Sequence, residues 1–405
     1  MLLGVGAAVL LALVLYALAP WLLPVRIREG PLVQMATTDG VTLSWYTTRP
    51  VECAVHVLVD GAERAVRPVA AGVRQRVRIG GLTAGQMYPY EIRAGRRPLT
   101  KKLAFQTNRR AGERFSFIVF GDSGAGTRAQ YGLAQGMAAA LELDFLLHTG
   151  DIVYPGGERA DYEERFFAPY KALIARVNFW PCVGNHDLAD EPNQSACFAV
   201  FEVPDNGPGL PGCYWFDYAS ARVIVLDSNL AEPVLAERVA PWLRDSLVAA
   251  PAPAAPAPRW KFVSFHHPPY TGGKYVPDAR IQRTLVPVLE AGGVDVVFNG
   301  HDHNYQRIGP LRGGQRVADG GGVLYVVTGA GGGELYPAAA ARPAYVEALN
   351  TAEWSFTHVV VDGDVLALRQ VALDGRTIDE YALEKSAAAP PAESQVADAN
   401  PVKQE

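Results

Sequence analysis

The chain has 405 residues and a formal net charge of −5, with 37 Lys and Arg against 42 Asp and Glu. That length accommodates two domains with a sizeable core, and the lack of a basic block argues against nucleic-acid binding by counterion release. Alanine, glycine and proline are abundant but follow no period, which excludes a repeat architecture.

In chain order, residues 2–23 come first and carry no charged side chain. As a helix they would span about 33 Å, enough for a bilayer core of about 30 Å. A cleaved signal peptide would want a basic start, which is absent, and Pro20 directly after Ala17-Leu18-Ala19 disfavours cleavage. The expectation for residues 1–24 is therefore a membrane anchor, with a signal peptide as the alternative. Arg26 and Arg28 on the far flank favour a cytoplasmic body, a bias that leaves the orientation of one short anchor open.

Residues 30–108 read as short strands. Residues 41–46, 54–59, 76–79 and 88–92 alternate in polarity and are separated by turn signals such as Asp60-Gly61 and Gly80-Gly81. No helix-period segment interrupts them, so a small antiparallel sandwich is predicted, with Trp45 in its core. The placement of Trp45 against Tyr88 and Tyr90 resembles a fibronectin type III-like domain.

A polar linker over 108–114 leads into a different pattern. Short apolar runs at 115–120, 145–148, 179–183, 222–226, 260–265, 294–298 and 323–327 read as strands. Helical candidates at 129–142, 162–175 and 279–291 lie between several of them. Such alternation predicts an α/β domain over 115–383 with a largely buried sheet. Residues 249–258 form an Ala/Pro insertion expected as an extended loop, and 384–405 a disordered tail. Four cysteines are too few for a disulfide scaffold. Cys197 and Cys213 flank a Pro/Gly-rich loop and would pair if the domain is exported, while Cys182 reads as a small core residue.

The chemistry follows the strands. Gly121-Asp122-Ser123-Gly124, Gly150-Asp151-Ile152-Val153-Tyr154, Gly184-Asn185-His186-Asp187, Phe265-His266-His267 and Gly300-His301-Asp302-His303 each place a polar ligand just past an apolar run. Strand C-terminal ends are where open α/β sheets hold their sites, and a neighbouring glycine lets the backbone turn sharply. Each motif alone reads equally as a turn or a cap. Together they hold five of the chain's eight histidines, which is hard to reconcile with turns alone. His148, His56 and His358 lie in strand-like runs and read as structural. Asp302 is expected to point away from its neighbours. Arg307 is expected in an ion pair or at the substrate, and Gly329 to Gly333 near the site.

The ordered set of five motifs resembles the metallophosphoesterases, and the tyrosine of the second motif resembles the purple acid phosphatase branch. The resemblance implies two mixed β-sheets packed as a sandwich, flanked by helices and preceded by the small all-β domain. It implies that Asp151 bridges two metal ions. Asp122, Tyr154 and His303 would complete one site, and Asn185, His266 and His301 the other. Two carboxylates and a phenolate suit Fe(III), and the neutral donors suit Fe(II), Zn(II) or Mn(II). His186 is the candidate to bind phosphate or protonate the leaving oxygen, with Asp187 orienting it or supporting the ligands from behind. The implied activity is acid-phosphatase-like hydrolysis of phosphate monoesters by metal-hydroxide attack. A phosphodiesterase or nucleotide-cleaving enzyme on the same metals is the alternative, and a non-catalytic binding protein a further one. The expected location is membrane-anchored or exported. Plant members carry histidines in the loop after the fourth motif. Here residues 268–275 hold none, and Lys274, Tyr270 and Tyr275 are the candidates to take their place.

Overall fold

The computed structural model describes residues 24–66, 72–139, 142–188, 195–251 and 257–385. The expected membrane segment, half of the Ala/Pro insertion (252–256) and nearly all of the expected disordered tail lie outside these residues.

The first part of the chain is all antiparallel. A sheet of three strands (Ile27–Gln34, Val41–Val51, Gly72–Ile79) faces one of five (Ala62–Val66, Ala54–Val59, Met87–Ala94, Arg97–Pro98, Leu103–Gln106). Alternation drives this arrangement. In Gly72–Ile79, Gln75, Val77 and Ile79 point inward while the intervening arginines meet solvent. Trp45, Leu43, Val55, Val57, Ile92 and Phe105 fill the space between the sheets. The first strand begins at Ile27, ahead of the expected boundary at residue 30.

The second part of the chain contains two mixed sheets. One runs Asn178–Trp180, Phe145–His148, Phe115–Phe120, Ser355–Asp362, Val365–Ala372, Thr377–Glu384, its first three strands parallel and the rest antiparallel. The other runs Tyr214–Tyr218, Ala221–Val225, Trp260–Ser264, Val296–Asn299, Val323–Thr328, Tyr305–Arg312, Gln315–Arg316, with four parallel strands at its centre. Phe117, Val119, Phe145, Phe262, Phe298 and Val326 interdigitate between the sheets. Helices cover the outer faces, among them Arg128–Ala138 and Ala168–Ile174 on one side and Ala240–Val248 on the other. The expected helix over 279–291 is two short ones, Ala279–Thr284 and Val286–Ala291. Pro287 lies in the first turn of the second, where its missing N–H is tolerated and marks a new start. The last strand ends at Glu384, one residue past the expected boundary. Cys197 and Cys213 are separate buried thiols, so the candidate disulfide is not formed.

The two parts pack directly on each other. Tyr90 Oη donates to the Ala175 carbonyl at 2.9 Å, and Tyr46 Oη to that of Ala199 at 2.9 Å. The Ala36 N–H donates to Asn178 Oδ1 at 2.9 Å, and the buried Glu29 carboxylate pairs with Arg159. Asn178 belongs to the edge strand beside Phe145–His148, so the small sandwich braces the sheet whose strands lead into three of the five motifs.

Candidate metal centre

Parallel strands that end together bring their following turns together. The Asp122 N–H donates to the Gly150 carbonyl at 2.9 Å, and the Gly300 N–H to that of His266 at 3.0 Å. Three of the predicted ligands adopt left-handed backbone, with φ of 54° at Asp122, 56° at Asp151 and 68° at His301. Non-glycine residues hold this conformation at a cost of about 1–3 kcal/mol, and its concentration at one spot marks a functional site. The neighbouring glycines permit the crowding. A Cβ on Gly184 would sit 2.1 Å from Asp151 Oδ1, and one on Gly150 2.5 Å from His266 Nδ1.

Asp122, Asp151 and His266 are buried, with ligand atoms within 4.8 Å of one another. Tyr154 Oη lies 3.0 Å from both Asp151 Oδ2 and His303 Nε2. His303 Nε2 is 3.4 Å from Asp122 Oδ1. Asn185 Oδ1 lies 3.1 Å from His266 Nε2, which is 3.5 Å from Asp151 Oδ2. The His301 ring is 5.1 Å from that of His266, and its backbone N–H donates to both oxygens of Asp122 at 3.0 Å. The other six residues predicted from the motifs thus gather around Asp151.

Hydrogen bonding at the far side of two imidazoles shows what this arrangement fits. His266 Nδ1 donates to the Thr149 carbonyl at 2.9 Å and His303 Nδ1 to that of Glu334 at 2.6 Å. A carbonyl only accepts, so each Nδ1 carries a hydrogen and each Nε2 is the atom turned toward the neighbouring side-chain oxygens. Two buried carboxylates gathered in this way call for positive charge among the donors. Burial opposes a charge on His266, yet Asp151 and Asp122 outweigh it and raise the imidazole to about 10. Tyr154 is pushed well above the usual phenol range by burial and by the same two carboxylates. Carboxylate, phenol, amide and imidazole donors converging on one buried spot fit a metal site.

His186 lies at the edge of this cluster, its ring 4.7 Å from that of Tyr154, with Nδ1 donating to the Pro155 carbonyl at 2.6 Å. Asp187 does not orient His186. Its buried carboxylate accepts the N–H groups of Gly184 at 2.9 Å, Ile152 at 2.9 Å and Val153 at 3.1 Å, tying the second and third motifs together. Asp302 points away from the site as expected, accepting the N–H groups of Lys274 and Tyr275. His267 Nδ1 meets Ser228 Oγ at 2.9 Å, and its ring packs 4.6 Å from that of His301. Arg307 is held in ion pairs with Glu347 and Asp379, which settles it as structural. The glycine run borders the site, the Gly333 N–H donating to the Asp122 carbonyl at 2.9 Å. Tyr336, whose ring stacks on that of His303 at 3.9 Å, was not anticipated, because it lies in a loop outside any motif. Arg165 also supports the site, donating to the Tyr154 carbonyl at 2.6 Å from a π-helical turn over Glu163–Phe167.

His148 sets an acid limit on the fold. It is fully buried, paired with Ser123 Oγ at 2.9 Å and accepting the Gly150 N–H at 3.1 Å, and burial pushes its imidazole down to about 3. With the folded value below the ordinary 6.5, its contribution is whole above about pH 6.5 and is lost as pH falls toward 3. At pH 5 the loss is about 2 kcal/mol. His148→Gln keeps both hydrogen bonds without titrating. Urea midpoints at pH 7 and pH 5 should therefore converge in the variant relative to the parent, and equal slopes in both proteins would contradict this account.

The family model for calcineurin-like phosphoesterases matches residues 115–305. Acid phosphatase type 7 of Mus musculus is 26% identical over 298 residues, covering 65% of this chain and 66% of that protein. Purple acid phosphatase 17 of Arabidopsis thaliana is 27% identical over 228 residues, covering 48% and 63% respectively. The chain thus spans slightly less than two thirds of each of these relatives. A purple acid phosphatase from yellow lupin (Lupinus luteus) seeds superposes with a TM-score of 0.76 over 87% of this chain and 74% of that one, at 17% identity. That likeness shows a shared fold, including the β-domain ahead of the two sheets.

Proposed function

With residues 115–305 belonging to the calcineurin-like phosphoesterase family, we propose that the chain is an acid-phosphatase-like enzyme hydrolysing phosphate monoesters at two metal ions. The observation that carries this reading is the donor cluster around the buried Asp151 carboxylate, whose Oδ2 lies 3.0 Å from Tyr154 Oη and 3.5 Å from His266 Nε2. The resemblance would assign Asp122, Tyr154 and His303 to one ion and Asn185, His266 and His301 to the other, with Asp151 shared. The first set is anionic and hard, suited to Fe(III), and the second suits Fe(II), Zn(II) or Mn(II). When bound, such ions supply Lewis acidity and lower the pKa of water.

The chain's own residues do the rest. Backbone hydrogen bonds hold the five turns in place, and Asp187 locks two of them together. His186 is fixed through Nδ1 by the Pro155 carbonyl, which leaves Nε2 as the atom to meet the phosphate or give a proton to the leaving oxygen. The division of the N-terminal sandwich into three and five strands around Trp45 supports a fibronectin type III-like assignment. The charge-free residues 2–23 support a membrane anchor, with the catalytic domain in the cell envelope or outside.

Hydrolysis of p-nitrophenyl phosphate and bis-p-nitrophenyl phosphate by the metal-loaded full chain tests this reading. The monoester should be preferred by about tenfold or more in kcat/KM. A diester preference would move the assignment to a phosphodiesterase, and no turnover of either would end the enzymatic reading.

A further inference from the structure

The loop after His266 is fixed from below by Asp302. Its buried carboxylate accepts the N–H groups of Lys274 at 2.9 Å and Tyr275 at 3.2 Å, and the Thr271 hydroxyl as well. Gly273 lets the loop come this close, since a Cβ there would lie 2.5 Å from the Asp302 carboxyl carbon. So held, Tyr275 lies flat on His301, the ring centroids 4.0 Å apart and the planes 19° from parallel. Tyr336 lies just as flat on His303, at 3.9 Å and 8°. Each of the two imidazoles of the last motif is therefore backed by a tyrosine.

Lys274 completes the stack. Its Nζ stands 3.7 Å above the centroid of the Tyr336 ring. At these distances the ammonium and the His303 ring cannot share one face, so Tyr336 is sandwiched between them. The Lys274 side chain is exposed, and among the described residues it has no carboxylate within ion-pair distance. A cation–π contact thus holds an unpaired positive charge at the rim, two ring spacings from an imidazole of the site. That separation exceeds the about 3 Å of a hydrogen bond to a phosphate lying against the imidazoles. It suits a group a few bonds farther along the substrate.

We propose that Lys274, seated on Tyr336, binds a second anionic group of the substrate, so that the favoured monoesters carry a further phosphate or carboxylate on the leaving group. The inference deepens the phosphatase reading and rests on it for the term substrate, but it is tested without turnover. Calorimetry on the metal-loaded full chain would compare 3-phosphonopropionate with propylphosphonate, which differ in one carboxylate. The parent protein should bind the first about fivefold more tightly. Lys274→Ala should close that gap, Lys274→Arg should keep it, and added salt should narrow it. A gap that survives in Lys274→Ala, or no gap in the parent, would overturn the proposal. If the gap behaves as expected while p-nitrophenyl phosphate is not turned over, the phosphatase reading fails and the anion subsite stands.

Discussion

Replacing Asp151 with Asn is expected to lower turnover of p-nitrophenyl phosphate by about 10³-fold and to reduce the metal bound per chain. The substitution keeps the shape of the side chain and removes one negative charge from a buried site. Asp151 Oδ1 accepts the His186 N–H at 2.9 Å, and Oδ2 lies 3.0 Å from Tyr154 Oη. An amide in the same place must turn its N–H₂ toward one of these donors and so lose one acceptor. It also withdraws the charge shared by both donor groups, which no neighbouring residue can replace. His301→Ala removes a donor from one group only, so it should release one ion in preference to the other and leave more residual turnover. Elemental analysis beside the rate measurement separates these outcomes. Unchanged metal content and turnover in Asp151→Asn would show that the shared carboxylate has been wrongly placed.

The legibility of this site in the sequence follows from how it is built. Strands Phe115–Phe120 and Phe145–His148 fall where their apolar runs do, because each is buried on both faces and the following Gly-Asp ends the run abruptly. Ligands placed directly after such runs can be read from order alone. Residues that act across the fold cannot. Tyr336 meets His303 only because the glycine run crosses the site and returns a loop to it, and loop residues carry no periodicity. For Asp187 the sequence left two roles open, orienting His186 or supporting the ligands from behind. Its oxygens find backbone N–H groups from the second motif, over 30 residues away. The position of Ser355–Asp362 beside Phe115–Phe120 was equally hidden, since alternation identifies a strand but not its partner. Arg307 illustrates the same limit for charge. A cation near a site motif is ambiguous until Glu347 and Asp379 are seen to neutralise it.

Tyr154→Phe is expected to abolish the visible absorption of the oxidised, iron-loaded protein while leaving the fold in place. The hydroxyl lies 3.0 Å from both Asp151 Oδ2 and His303 Nε2, and can donate to only one of them. Burial and the charges of Asp151 and Asp122 hold the phenol well above its ordinary range. Without a cation, Tyr154 is therefore a neutral hydrogen-bond donor. A phenolate in this place requires a highly charged metal to offset two adjacent carboxylates, and such a bond to Fe(III) absorbs visible light. Phenylalanine fills the same volume and still packs on His186 at the ring contact of 4.7 Å, so thermal stability should change by about 1 kcal/mol at most. Metal analysis should show loss of iron from the site with the second ion retained. A parent protein that is colourless with two Zn(II) or Mn(II) ions would remove iron from the account. Its hydrolytic reading would still stand, since Asp122, Asp151 and His303 alone present oxygen and nitrogen donors that such ions accept.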